Sequence, residues 1–106
     1  RMRQRRKEHK RKKRAGFVYL AYSETGHYKI GKSKGPQDRI KAIGTIMPLA
    51  VKLIHAFQAD DYGAAEAALH GAYEAKHHEG EWFNLDQNDV ENICDILEYQ
   101  DGQFIR

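Results

Sequence analysis

The sequence predicts a small α/β domain of the α+β kind, with a three-stranded, mostly antiparallel sheet flanked by about three helices. Three observations predict it. Residues 17–31 hold two apolar strand patterns joined by turn chemistry, residues 51–57 hold a third, and helical periodicity follows at 36–43, 62–77 and 86–99. At 106 residues the chain has room for a single modest core.

Ahead of the domain, residues 1–15 read as a basic tail or linker and residues 16–106 as the folded unit. The net charge of +3 conceals this split. The first 14 residues hold ten Lys or Arg against the single acid Glu8, about +9, which leaves eight basic and fourteen acidic side chains, −6, to the rest. With Met2 its only apolar residue, this run cannot bury a face and is expected to be disordered alone or at most a solvated helix. One reading makes it a solubilising segment; the other makes it a phosphate-contacting arm with salt-dependent affinity. It has no aromatics for base stacking. The start at Arg1 instead of methionine fits an excerpt of a longer protein and equally an added leading segment.

In the domain, Val18, Leu20 and Tyr22 alternate with Tyr19 and Ala21, the period of a half-buried strand. Ser23-Glu24-Thr25-Gly26 supplies the turn, and His27 to Gly31 returns as the second strand. Gly35 then serves as a cap and Pro36 as the first residue of a helix, where its missing N–H is harmless. Ile40 and Ile43 share one side of that helix, and Arg39 lies next to their edge. A hydroxyl on one strand, the Tyr28-Lys29 pair on its partner and a guanidinium on the next helix are thereby brought together. Such a constellation suits an anionic ligand, although Arg39 alone also fits a solvated surface charge.

Gly44-Thr45-Ile46-Met47-Pro48 reads as a loop, and Val51 to Phe57 as the third strand, with Val51, Leu53 and His55 alternating against Lys52, Ile54 and Ala56. His55 fits a satisfied, partly buried imidazole better than a ligand. Asp60-Asp61 offers a cap for the helix from Tyr62 to His77. Tyr62, Leu69 and Tyr73 make an apolar stripe at i, i+7 and i+11, and Glu66 falls on it at i+4. A carboxylate there is desolvated unless a metal cation, a lysine or Arg39 compensates it. His70, four residues on, is one turn away from Glu66. Lys76 to Glu81 is a polar exit with a glycine turn, after which Trp82 and Phe83 close the core. In the last helix, from Asp86 to Tyr99, Val90, Ile93, Cys94, Ile96 and Leu97 form the buried face. Asp89, Glu91, Asp95 and Glu98 form a solvated acidic one.

Several classes are set aside. No apolar run approaches the ~20 residues of a membrane span, and no secretory segment is present. With Cys94 the only cysteine there is no disulfide within the chain, which fits a cytoplasmic protein. The spacing of His70, His77, His78 and Cys94 matches no structural zinc pattern.

Phe17-Val18-Tyr19, Tyr28-Lys29-Ile30-Gly31, Arg39 eight residues later, Glu66 in Ala65-Glu66-Ala67-Ala68-Leu69-His70, and Asn84 in Glu81-Trp82-Phe83-Asn84 occur in this order. In these residues the chain resembles the GIY-YIG nuclease superfamily, and within it the phage and bacterial subgroup whose second motif reads Tyr-Lys-Ile-Gly. The resemblance covers roughly residues 16–85. It implies a metal-dependent endonuclease that nicks or cuts DNA, of phage or mobile-element type, working in a bacterial or phage-infected cytoplasm. Tyr19, Lys29, Arg39, Glu66 and His70 would be catalytic, and Tyr28, Gly31 and Asn84 supporting. Tyr19 would position or activate water, helped by a neighbour that lowers its phenol pKa, and Arg39 would clamp non-bridging oxygens. Glu66 would hold one Mg²⁺ or Mn²⁺. Lys29 stands where most of the superfamily has a tyrosine, which leaves the general base open between it and others.

The nucleic acid, most readily DNA, would also meet Arg5, Arg6, Lys7, Lys10, Arg11, Lys12, Lys13 and Arg14 of the tail together with Lys32 and Lys34. One site per chain suggests a monomer or a transient dimer. Two other readings stay open: a non-catalytic nucleic-acid-binding module that relies on the tail, and a protein-interaction module whose acidic last helix meets a basic partner.

Overall fold

The computed structural model describes residues 13–46 and 50–101, with side chains described as far as residue 95. The expectations for Arg5, Arg6, Lys7, Lys10, Arg11 and Lys12, and for the side chains of Ile96 and Leu97, lie outside these residues.

Five strands, two more than the sequence pattern gives, form one antiparallel sheet in the order β3-β1-β2-β5-β4. β1 (Gly16–Ser23) and β2 (Tyr28–Ser33) make the hairpin. Its turn is drawn in by Ser23 Oγ, which accepts from Thr25 N at 3.2 Å, and by Gly26 at φ +93°. The helix α1 (Pro36–Ile46) then carries the chain across to β3 (Val51–Ala59), on the other side of β1. Gly44, Thr45 and Ile46, expected in a loop, continue α1 by one more turn, and Thr45 Oγ1 bonds back to Lys41 O at 3.0 Å.

The register skips Ile54, since Leu20 faces His55 and Ala21 faces Leu53. Ile54 is therefore the extra residue of a bulge, and it is exposed.

β1 differs from the half-buried strand its alternation suggests: Val18, Tyr19, Leu20 and Ala21 are all at most 1 % exposed. An interior strand between β3 and β2, it is covered on both faces. Val18 and Leu20 join Ile30, Phe57, Leu69, Phe83, Leu85, Val90 and Ile93 in the core beneath α2 (Tyr62–Ala72) and α3 (Gln87–Asp101). Phe17, Tyr19 and Ala21 look the other way, where Phe17 shares a groove with Pro36, Leu53 and Ala56 at the foot of α1.

α2 is capped as expected, Asp61 Oδ1 accepting from Ala64 N at 3.2 Å, but it stops at Ala72. A 3₁₀ turn (Glu74–Lys76) follows, and the expected polar exit is instead the hairpin of β4 (His77–Glu79) and β5 (Trp82–Phe83), turned at Gly80 with φ +58°. α3 starts with reciprocal bonds: Asp89 N to Asp86 Oδ1 at 2.9 Å and Asp86 N to Asp89 Oδ2 at 3.0 Å. Asp89, expected on the solvated face, is buried and paired with Lys76 at 2.5 Å. No helix among the described residues is long and apolar enough to cross a membrane.

Candidate active site

The site forms where β2 runs out of partners. β5 pairs with Tyr28 and Lys29 only, and one further bond, Ile30 N to Glu81 O at 3.1 Å, ends the contact. From Gly31 onward the outer edge of β2 borders side chains from both faces of the sheet.

Tyr19 arrives from the α1 face. It sits opposite Gly31 in the β1–β2 register, and its phenol lies across the glycine. The Arg39 guanidinium, one turn into α1, lies beside the phenol oxygen. The resemblance implies a neighbour that lowers the phenol pKa, and Arg39 is such a neighbour, but it is outweighed. Burial raises the Tyr19 pKa most; the Arg39 guanidinium lowers it, but the Glu81 and Glu66 carboxylates raise it further, and the net shift is upward.

Glu66 arrives from the core face and is 7 % exposed. Its Oε1 accepts from Lys32 Nζ at 3.2 Å, and its Oε2 is buried without a hydrogen-bond partner. His70, one turn along α2, stands 3.9 Å from that Oε2, but its Nε2 is committed to Ile30 O at 2.8 Å. An orphaned carboxylate oxygen in a dry position suits a hard divalent cation that takes one protein oxygen and keeps its waters. Glu66 is the residue that would hold it; no group of three or more His, Cys, Asp or Glu gathers as a metal cage among the described residues.

Lys29 is 8 % exposed and faces Glu81, Nζ to Oε1 2.6 Å, with its ammonium 5.7 Å from the centre of the Trp82 ring. Lys29 thus enters the site as the cation of an ion pair. Glu81 was not singled out by sequence reasoning, yet it touches the charge of Tyr19, Lys29, Glu66 and His70 together. Burial pushes its carboxyl up, the Lys29 hydrogen bond and charge outweigh that, and the net result is a carboxyl held below its usual range. Its signal was available: an acid next to Gly80 and before the apolar Trp82-Phe83 pair.

Tyr28 and Asn84 are not brought in. Tyr28 lies on the core face against Tyr22, ring centres 4.8 Å apart, as alternation from Lys29 requires. Asn84 has an exposed side chain and is fixed by its backbone, N to Lys76 O at 2.8 Å.

Of the basic residues, Lys32 serves Glu66, and Lys34 donates to Ala15 O at 3.0 Å with its ammonium 5.5 Å from the Tyr62 ring centre. Lys13 and Arg14 are exposed, and Arg14 O accepts from Tyr62 N at 3.0 Å. The described end of the basic segment is therefore tied beside Lys32 and Lys34, at the start of the helix that carries Glu66.

The T5orf172 domain model matches residues 16–98, and the chain belongs to that family, a phage-type, nuclease-like domain. No curated protein and no solved structure matches the chain.

Proposed function

We propose that this T5orf172-family domain is a metal-dependent endonuclease of GIY-YIG type that hydrolyses phosphodiester bonds in DNA. The observation that carries the reading is the convergence of three elements at one edge of β2: the Tyr19 phenol beside Arg39, the Lys29–Glu81 pair, and Glu66 with a buried oxygen that has no hydrogen-bond partner.

Phosphodiester hydrolysis needs an aligned nucleophile, a charge clamp on the non-bridging oxygens and an acceptor for the water's proton. Arg39 is exposed at its outer side and offers the planar fork for the clamp while it orients the Tyr19 oxygen. With its pKa raised, Tyr19 works as a neutral phenol that positions water and relays its proton. Lys29, paired as a cation with Glu81 Oε1, faces the developing phosphorane charge, and the second oxygen of the ionised Glu81 carboxylate is the group proposed to accept the proton. His70, held by Ile30 O, stands 3.9 Å from Glu66 Oε2 as a supporting group beside the carboxylate. Glu66 would hold one Mg²⁺ or Mn²⁺, which when bound supplies Lewis-acid charge at the scissile phosphate and leaving oxygen. The nucleic acid approaches past Lys13, Arg14, Lys32 and Lys34.

One observation favours a non-catalytic binding module: Lys32 already compensates one oxygen of Glu66. Supercoiled plasmid with Mg²⁺ or Mn²⁺, beside an EDTA control, decides between them. The nuclease reading expects nicked or linear product that disappears with EDTA and in Tyr19→Phe, Arg39→Ala and Glu66→Ala while binding persists. Retardation of DNA, single strands and RNA with no cleavage by either metal overturns it.

A further inference from the structure

We propose that the cleft beside His70 is a nucleobase subsite that selects guanine by its Watson–Crick edge; as a substrate subsite this rests on the nuclease reading above. The cleft, about 370 Å³, is lined by His70, Gly71, Glu74, His77, Gly80 and Phe83. It shares a wall with the active site, because His70 also stands 3.9 Å from Glu66 Oε2. A base in the cleft therefore belongs to a nucleotide adjoining the phosphate at Tyr19 and Arg39.

The lining has the two properties a base requires. His70 and His77 both stand edge-on to Phe83, with ring centres 5.1 and 5.4 Å away, which gives the cleft flat aromatic walls. Its side-chain polar groups, by contrast, leave only acceptors for a ligand. His70 Nε2 lies 2.8 Å from Ile30 O and His77 Nε2 lies 2.8 Å from Gly80 O. A carbonyl oxygen only accepts, so each Nε2 carries a hydrogen, and in the uncharged form of an imidazole so bonded Nδ1 is the acceptor. Glu74 adds a carboxylate with no side-chain partner among the described residues.

An acceptor-only lining repels phosphate and asks for donors. Guanine presents two adjacent donors, N1–H and the 2-amino group, at the spacing of two carboxylate oxygens. Adenine and cytosine present one amino group beside a ring acceptor, which would face the acceptors of the cleft. Reading an extruded base by this edge is an established mode of nucleic-acid recognition. The fold also keeps the space open: a Cβ on Gly71 would meet nothing within 4 Å, so the glycine, which weakens α2 relative to alanine, leaves the cleft unfilled.

The test is titration of the full chain with the 5′-monophosphates of guanosine, inosine, adenosine and cytidine, followed on the ring resonances of His70 and His77. Guanosine monophosphate is expected to bind about tenfold or more tighter than the adenosine and cytidine nucleotides, with inosine, which lacks the 2-amino group, in between. Glu74→Gln should erase the preference. Gly71→Met should abolish binding by filling the cleft without lowering Tm, because methionine is the better helix former. Equal response to all four nucleotides, no response to any, or unchanged binding in Gly71→Met overturns the subsite. Oligonucleotides with each base beside the cut separate the two readings. Cleavage without base preference, together with indifference to guanosine monophosphate, sinks the subsite alone. Guanosine monophosphate bound at His70 and His77 by a chain that cleaves nothing keeps the guanine site and sinks the nuclease.

Discussion

A Cβ placed on Gly31 would stand 2.5 Å from both Oη and Cζ of Tyr19, so the tyrosine ring occupies the room that any other residue at 31 would need. The relation follows from register: the two residues are direct partners across β1 and β2, on the face away from the core. Gly31→Ala is expected to displace the phenol and to cost about 1–3 kcal/mol of stability by overpacking. Cleavage should fall at least ~100-fold, since a displacement of about 1 Å is enough for that. Thermal melting and single-turnover cleavage of the same preparation check it. Wild-type rates in Gly31→Ala would show that the position of Tyr19 does not matter.

Glu66 combines burial with an unpaired oxygen, and that oxygen is a liability in the absence of a cation. Glu66→Gln keeps the shape and removes the charge, so Tm without metal should be unchanged or higher. Mn²⁺ should raise the Tm of the wild type and leave that of Glu66→Gln where it was. Equal Mn²⁺ stabilisation of both proteins would move the metal elsewhere.

Lys29 and Glu81 are 2.6 Å apart in a half-dry position, where removing one partner leaves the other charge uncompensated. Lys29→Met and Glu81→Gln should each lower cleavage strongly. The double substitution should lose less stability than the two single losses added together. A double-mutant cycle of melting and cleavage measures this, and strict additivity in both would sever the pair from the mechanism.

The Lys76–Asp89 pair, 2.5 Å apart, ties the 3₁₀ turn to α3 and sets a pH dependence. The Lys76 hydrogen bond, followed by the Asp86 backbone, holds the Asp89 carboxyl below its ordinary 3.8. Its contribution to folding is therefore present above pH 3.8 and is lost as the pH falls through the lower folded value. Lys76 is raised above 10.5, chiefly by the same hydrogen bond, so its share is full below pH 10.5 and is lost as the pH rises through the folded value. Asp89→Asn keeps the acceptor for Asp86 N and removes the charge. It should melt below the wild type at pH 7, and the difference should vanish toward pH 2. A pH-independent gap in Tm would assign the loss to packing instead.

Local chemistry made much of the molecule legible. The β1–β2 hairpin, Pro36 opening α1, Asp61 capping α2 and Ile43, Leu69, Val90 and Ile93 turning inward all follow from turn residues, caps and periodicity, which act within a few residues. Glu66 was legible for a related reason: a charge on an apolar stripe contradicts its own helix and marks a site. Less visible was anything that depends on which elements become neighbours. Burial of β1 on both faces needed β2 and β3 to flank it and helices to cover both sides. The β4–β5 hairpin was hidden because two residues of β5 are too few to show alternation, and they are strand only because Tyr28 and Lys29 hold them.

By itself, then, the sequence determined the hairpin, the helix starts and the order of Tyr19, Lys29, Arg39 and Glu66, all matters of spacing along the chain. Only the tertiary structure decided that Glu81 joins them, that Tyr28 and Asn84 do not, and that the Tyr19 phenol is raised instead of lowered. Those outcomes are sums of desolvation and charge over groups up to 62 residues apart, as between Tyr19 and Glu81, and no local pattern carries such sums.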